Sequence, residues 1–333
     1  MTYSIIVAVY NRPDELRELL QSLAAQTYAD FEVIVVEDGS SIPSQSVCNE
    51  FASSLRLRYF TKDNSGPGPS RNFGCRRASG DWFLFLDSDC TTPPNWLNTV
   101  HKDVVARKLD AFGGPDREHE DFTPIQKAIS YSMTSVFTTG GIRGGKVRVG
   151  GTFHPRSFNM GISREVFNRT DGFARMRFGE DVDFSIRIIE AGFNVGLIAD
   201  AWVYHKRRTD FKRFFKQVYN SGAARIDLSL RHPKTLKLTH FFPAAFTAYL
   251  ASAFIYLLAV HHGEVALIPL ALYVVVLLVH AAMRHHSFNL AVLSVAASMV
   301  QLVGYGLGFM KGIVTRVILG RTEAHAFEQT YYS

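Results

Sequence analysis

Cysteine is scarce in this 333-residue chain: Cys48, Cys75 and Cys90 form no metal-type pair and cannot all pair with one another. That excludes a disulfide framework and a Cys-based zinc site, and it fits a reducing compartment. A secretory leader is also missing, because Met1 runs directly into SIIVAVY without a charged start, an apolar core and a cleavage site. The amino-terminal part is therefore expected in the cytoplasm. Net positive charge is absent from most of the chain. Residues 204–237 hold ten Lys or Arg against Asp210 and Asp227, a local balance of +8 within a total of +6, so the remainder is about −2. Such a distribution argues against a nucleic-acid binder with a basic globular face and favours a basic collar at an anionic membrane surface. Long apolar runs are missing from residues 1–200 and frequent from about 241 onward. A soluble α/β domain followed by a membrane part is the expected organisation.

The soluble part is organised around Trp82–Cys90, WFLFLDSDC, where a wholly apolar strand runs into two carboxylates separated by one serine. A strand covered on both faces reads as a continuous hydrophobic run, and parallel sheets place ligands beyond the carboxyl ends of their strands. Asp87 and Asp89 thus stand where two hard oxygen ligands could hold Mg²⁺ or Mn²⁺. Taken alone, the pair reads more readily as a polar turn in which Asp87 or Ser88 caps the next helix. Strands are also expected over Ser4–Val9, Glu32–Val36, 57–61 and Val195–Ala199, with helices from Pro13, near 43–53 and near 69–79. Leu16, Leu19, Leu20 and Leu23 fall at i, i+3, i+4 and i+7, one helical face. Successive strand ends carry Tyr10-Asn11, Glu37-Asp38, Asp63-Asn64-Ser65-Gly66 and Asp87-Ser88-Asp89. Four polar ends on one edge of a parallel sheet make a site.

The segments SIIVAVYNRPDELRELLQSLAAQTYADFEVIVVEDGS, NSGPGPSRNFGCRRASGDWFLFLDSDC, FNMGISREVFNRTDGF and FGEDVDFSIRIIEAG resemble the family 2 glycosyltransferases of GT-A fold, in that family's order and spacing over about residues 1–205. The resemblance implies a nucleotide-sugar donor lying over the first strands. It would place Ala8, Tyr10 and Asn11 by the donor, with Tyr10 on or beside the base, and Asp38 hydrogen-bonded to the base. Asn64, Gly66 and Arg71 would border the nucleoside, Asp87 and Ser88 the ribose, and Asp89 with Asp87 the metal. Glu37 stands where the family more often has Asp. A histidine at the position of His205 would complete the metal or diphosphate site, although a lone histidine is more often structural. Asn159 and Glu180 would lie on the acceptor side. Asp181 would be the general base, in a first helical turn whose acidic residues could otherwise be only dipole partners. The glycine-rich TTGGIRGGKVRVGG at 138–151 is expected to be a loop, either an inert linker or one that orders on binding donor or acceptor.

From Phe211 the chain reads as a basic amphipathic helix: Phe211, Phe214, Phe215 and Val218 share a face from which Lys212, Arg213 and Lys216 lie apart. An interfacial helix with its linker over 206–240 is expected, or a helix docked on the soluble domain. Phe241–Val260, Val265–Met283 and Phe288–Met310 follow as two to three transmembrane helices within 241–320, ahead of a tail at 321–333. The positive-inside rule puts the collar in the cytoplasm and His261-His262-Gly263-Glu264 outside. Three full spans would then put Lys311, Arg316 and Arg321 outside, against the same rule. Either the first segment, with Pro243 near its start, is re-entrant or interfacial, or the weak charge signal of the tail yields.

Together these features imply an inverting, metal-dependent glycosyltransferase with its catalytic domain on the cytoplasmic face of the inner membrane. Its acceptor would be a lipid-linked saccharide or a polyprenyl phosphate in envelope polysaccharide assembly, and its donor more often a UDP- than a GDP-sugar. Nucleic acid is not an expected partner. A processive synthase of this family would carry Gln-x-x-Arg-Trp after the base, and Trp202 is the last tryptophan. A non-catalytic nucleotide-binding membrane protein is the reading from another class; retention of Asp38, Asp89 and Asp181 speaks against it.

Overall fold

A computed structural model describes residues 1–119, 121–139, 153–206 and 208–321. Its strands are β1 (Tyr3–Val9), β2 (Phe31–Asp38), β3 (Leu57–Lys62), β4 (Trp82–Asp87), β5 (Cys90–Thr91), β6 (Ala111–Gly113), β7 (Asp116–Arg117), β8 (Asn159–Ser163), β9 (Val195–Leu197) and β10 (Val203–His205). Its α-helices are α1 (Pro13–Ala24), α2 (Gln45–Glu50), α3 (Pro67–Cys75), α4 (Trp96–Arg107), α5 (Pro124–Thr134), α6 (Val136–Thr139), α7 (Arg164–Thr170), α8 (Glu180–Glu190), α9 (Phe211–Arg231), α10 (Phe242–Ala259), α11 (Ile268–His285) and α12 (Phe288–Gly312). The chain divides into two compact units, residues 1–119 with 151–206 and 323–333, and residues 120–150 with 207–322.

The first unit is built on a seven-stranded mixed sheet of order β3-β2-β1-β4-β8-β6-β9. Strands β3, β2, β1 and β4 run parallel to one another, and β8 runs antiparallel between β4 and β6. Both faces are covered, which is why these strands are apolar without alternation. Ile5, Val7, Val33, Val35, Leu84 and Leu86 pack with Leu16, Leu19, Leu20 and Leu23 of α1 on one face. Ile6, Ile34, Val36, Phe83 and Phe85 pack with Phe173 and with Phe184 of α8 on the other. Register then fixes the site: Ala8 lies opposite Asp87 and Asp38 opposite Lys62, so the polar ends fall on one edge. A second sheet of order β5-β10-β7, which the sequence reading does not contain, pairs His205 with Cys90.

The second unit differs from the sequence expectation in three ways. The described residues 121–139 belong to it and not to the first unit. Most of its part of the glycine-rich 138–151 segment, like the 322–333 tail, lies outside the described residues. Next, the apolar face of α9 is not free to lie on lipid, because Phe214 and Val218 are buried with Ala128, Ile129 and Met133 of α5 and Ala297 of α12. Small residues let α9 and α12 close up: a Cβ on Gly308 would stand 1.9 Å from the Tyr219 carbonyl oxygen, and one on Gly222 would stand 2.2 Å from that of Tyr305.

Finally, three helices are long and apolar enough to cross a membrane, Leu238–Ala259, Gly263–His285 and Phe288–Ile318, yet they are not three simple alternating spans. The Phe241 and Phe309 rings lie 5.1 Å apart, and a Cβ on Gly306 would meet the Pro243 carbonyl oxygen at 2.4 Å. Gly306–Phe309 lies about 28 Å along α12 from its start. Three full spans would leave the start of the first and the end of the third on opposite faces. Here they are level, and Arg316 pairs with Asp227 of α9. Lys311, whose Nζ stands 5.5 Å from the Tyr219 ring centre, and Arg316 therefore both lie beside α9.

Candidate active site

At the end of β2, Asp38 is buried and its carboxylate is heavily used. Oδ1 accepts from Lys62 Nζ at 2.5 Å and from the Ser65 amide at 2.9 Å, and Oδ2 accepts from the Gly66 amide at 2.8 Å. Asn64 Nδ2 donates to the Asp38 carbonyl at 2.7 Å. The loop closes tightly because Gly39 has φ +73°, and a Cβ there would lie 2.7 Å from the Asn64 nitrogen. Glu37 is buried and structural in its contacts: it accepts from the hydroxyls of Ser40 and Tyr59 and from the Ser44 amide. Asn11, at φ +52°, ties the end of β1 to the same region, its Oδ1 accepting from Ser41 Oγ and the Ile42 amide.

Beyond β4 the two aspartates take different partners. Asp87 Oδ1 accepts from Arg71 Nη2 at 2.8 Å, and the same guanidinium donates through Nη1 to Glu180 Oε1 at 3.2 Å. Arg71 is buried and stands 5.2 Å over the Phe173 ring, so one cation joins the end of β4 to the start of α8. Asp89 Oδ2 accepts from Arg12 Nη1 at 2.5 Å, and its Oδ1 lies 3.3 Å from His205 Nε2. The pairing of β10 with β5 places this histidine, and the Lys206 amide donates to the Asp89 carbonyl at 3.1 Å. Ser88 is buried between the two aspartates.

At the start of α8 two buried carboxylates are adjacent. Burial, and then the charge of Asp181, pushes Glu180 up to about 7 although Arg71 opposes this. Burial would raise Asp181 too, but Arg156, whose Nε donates to Oδ2 at 2.6 Å, outweighs it and holds that carboxyl below the usual range. The pair thus combines an ionised Asp181 with a Glu180 that titrates near neutrality.

The structure therefore gathers Asp38, Asn64, Gly66, Arg71, Asp87, Ser88, Asp89, Glu180, Asp181 and His205 with the half-buried Ala8, Tyr10 and Asn11. Asn159 is different. Its side chain is fully buried, accepting from Trp96 Nε1 at 3.2 Å and donating to the Ala201 carbonyl at 2.7 Å, so its polar atoms fasten the sheet from within. Three basic residues that the sequence reading did not select, Arg12, Lys62 and Arg156, each pair with an acidic residue of the site. The signal for Arg12 and Lys62 was their place at a strand end beside a chosen residue; Arg156 follows the glycine-rich segment and had none.

The donor set at Asp89 fits a divalent cation. Ligand atoms of Asp89, Cys90 and His205 lie within 4.8 Å of one another. A carboxylate oxygen with an imidazole nitrogen suits Mn²⁺, whereas Mg²⁺ prefers oxygen alone. Cys90 fits less well, since burial first, and then Asp89, Asp87 and Asp116, keep its thiol protonated.

A mixed sheet covered by helices on both faces, with carboxylate and basic groups at its strand ends, is the arrangement of the GT-A fold. Residues 4–170 match the sequence profile of Glycosyl transferase family 2, and the chain belongs to that family. An uncharacterised glycosyltransferase of Haemophilus influenzae is 45% identical over 196 residues, 56% of this chain and 62% of that protein. Glycosyltransferase GlyA of Streptococcus pneumoniae is 36% identical over 108 residues, 32% of this chain but only 16% of its own length. Among solved structures, the mannosyltransferase PcManGT of Pyrobaculum calidifontis, in complex with GDP-Man and Mn²⁺, superposes with a TM-score of 0.61 at 17% identity, covering 94% of this chain and 87% of that one. TarS of Staphylococcus aureus in complex with UDP-GlcNAc gives 0.51 at 18% identity, covering 96% and 93%. At these identities the structural likeness establishes the GT-A fold.

Proposed function

We propose that this chain is a membrane-bound inverting glycosyltransferase that moves one sugar from a nucleotide sugar to a lipid-linked or polyprenyl-phosphate acceptor at the cytoplasmic face of the inner membrane. The observation that carries the proposal is the single cation Arg71, which joins Asp87 at the end of β4 to Glu180 beside Asp181. It sets a diphosphate-side carboxylate and a proton-accepting pair around one centre. Ala8, Tyr10, Asn11, Asn64 and Gly66 line the nucleoside side. Asp38 shapes that side by holding the Ser65 and Gly66 amides and keeps acceptor capacity for a base N–H. Asp89 with Asp87 and His205 would hold a divalent cation, Mn²⁺ or Mg²⁺, which would supply positive charge to the departing diphosphate.

In the transfer, the acceptor hydroxyl oxygen forms the new bond to the anomeric carbon, the bond to the diphosphate breaks with its electron pair, and the hydroxyl proton passes to Asp181. Arg156 covers Asp181, so proton acceptance requires this ion pair to open. Glu180 is the competing base, favoured by its titration near 7. The three apolar helices and the collar support a lipid-borne acceptor, since an anchored site meets it at high local concentration.

The test is release of nucleoside diphosphate from a panel of UDP- and GDP-sugars, with membrane extract as acceptor. Acceptor-dependent release from one donor, with transfer of its sugar into the lipid fraction, is expected. Release that is independent of added extract, or none from any donor, would overturn the assignment.

A further inference from the structure

Arg316 is taken by Asp227, whereas Arg225, in the middle of α9, has no carboxylate partner among the described residues. Its Nη2 donates to Thr235 Oγ1 at 2.6 Å, and its Nε is buried with no hydrogen-bond partner. Burial pulls the guanidinium pKa down and only Tyr305 opposes this. A part-buried cation without a counter-charge is costly unless an anion completes it. Lys237 brings a second positive charge to the same place: His240 lies near enough to feel the charges of both Arg225 and Lys237, and its Nδ1 accepts from the Lys237 amide at 3.0 Å.

The surroundings also indicate where the anion comes from. Leu238 is 87% exposed, and Phe241 and Phe242 beside it are exposed as well. These apolar side chains flank the cations at the point where the first membrane-length helix begins. Basic groups next to exposed Leu and Phe at a helix start mark the depth of lipid headgroups.

We propose that Arg225, Lys237 and His240 form a binding site for the phosphate of a membrane lipid that carries a phosphomonoester. The Arg225 guanidinium and the Lys237 ammonium match its two negative charges, and Leu238, Phe241 and Phe242 meet its acyl chains. The proposal does not rest on the transfer reaction.

The test uses the full chain in detergent micelles and native mass spectrometry with palmitoyl-oleoyl phosphatidic acid, the matching phosphatidylcholine, or inorganic phosphate. Phosphatidic acid should be retained in one copy under conditions that strip phosphatidylcholine. Arg225→Gln and Lys237→Gln should each weaken retention about tenfold, the worth of one charge-assisted hydrogen bond. Lys212→Gln, in the same collar but away from the cluster, should leave it unchanged. Lys237 is exposed, so its replacement cannot fail through misfolding even if that of Arg225 does. Equal retention of both lipids, no effect of Lys237→Gln, or an equal loss with Lys212→Gln would overturn the site. Displacement of the lipid by equimolar inorganic phosphate would overturn its assignment to lipid.

Discussion

Arg71→Gln should destabilise the first unit in a strongly pH-dependent way. The guanidinium is buried and bridges Asp87 at 2.8 Å and Glu180 at 3.2 Å, so its loss leaves two carboxylates without their cation. Breaking a buried pair by removing one partner costs about 3–5 kcal/mol. Glu180 gives the pH dependence its sign. Its folded pKa of about 7 lies above the ordinary 4.5, so ionised Glu180 already weakens the fold as pH rises through that window. Without Arg71 the folded value climbs further, and each unit adds about 1.4 kcal/mol to the deficit at high pH. At pH 5.5 Glu180 is protonated in both proteins and this part of the deficit vanishes. All three tryptophans, Trp82, Trp96 and Trp202, lie in the first unit, so intrinsic fluorescence reports its melting. For a unit of this size, 3–5 kcal/mol corresponds to a fall in Tm of about 6–20 °C at pH 8, with a smaller fall at pH 5.5. Equal deficits at both pH values would refute the placement of Arg71 between these carboxylates.

Asp89→Asn should lose Mn²⁺ binding, read by electron paramagnetic resonance, while melting close to wild type, because the residue stands outside the core; wild-type Mn²⁺ affinity would remove Asp89 from the metal site. Gly308→Leu drives a side chain into the Tyr219 carbonyl. It should open the α9–α12 packing at a cost of about 1–3 kcal/mol or more, seen as faster proteolysis between α9 and α10; unchanged cleavage would contradict the close approach. Replacing the exposed Lys212, Arg213 and Lys216 with Gln should weaken binding of the detergent-free protein to anionic vesicles by about 1 kcal/mol per charge at low salt. Salt-independent, unchanged binding would contradict the collar.

Much of the fold was legible because the signals were strong and local. The strands β1, β2, β3 and β4 are buried on both faces and read as apolar runs, and the Leu16–Leu23 face announces α1. The strand-end carboxylates were legible because a charge cannot sit inside such a strand. The two- and three-residue strands β5, β6, β7 and β10 were not, being too short for periodicity to show. Helix α5 could have been found from Thr123-Pro124-Ile125-Gln126, a capping box with proline at the first position. That residues 121–139 join the second unit, and that α9 buries its apolar face on α12, are tertiary facts: amphipathicity tells that a face is covered but not by what. The ion pairs of Arg12 and Arg156 cross 77 and 25 residues and likewise belong to the fold alone.

The most direct measurement of the central claim is donor affinity and turnover on one preparation of Asp181→Asn, with Glu180→Gln beside it. A base that accepts the acceptor's proton is worth roughly 10²–10⁴ in turnover, and asparagine would serve nearly as well as aspartate if the residue only capped α8. The account predicts that Asp181→Asn keeps the wild-type affinity for the nucleotide sugar and Mn²⁺ and loses turnover by that factor, whereas Glu180→Gln loses far less. Near-normal turnover in Asp181→Asn would contradict it.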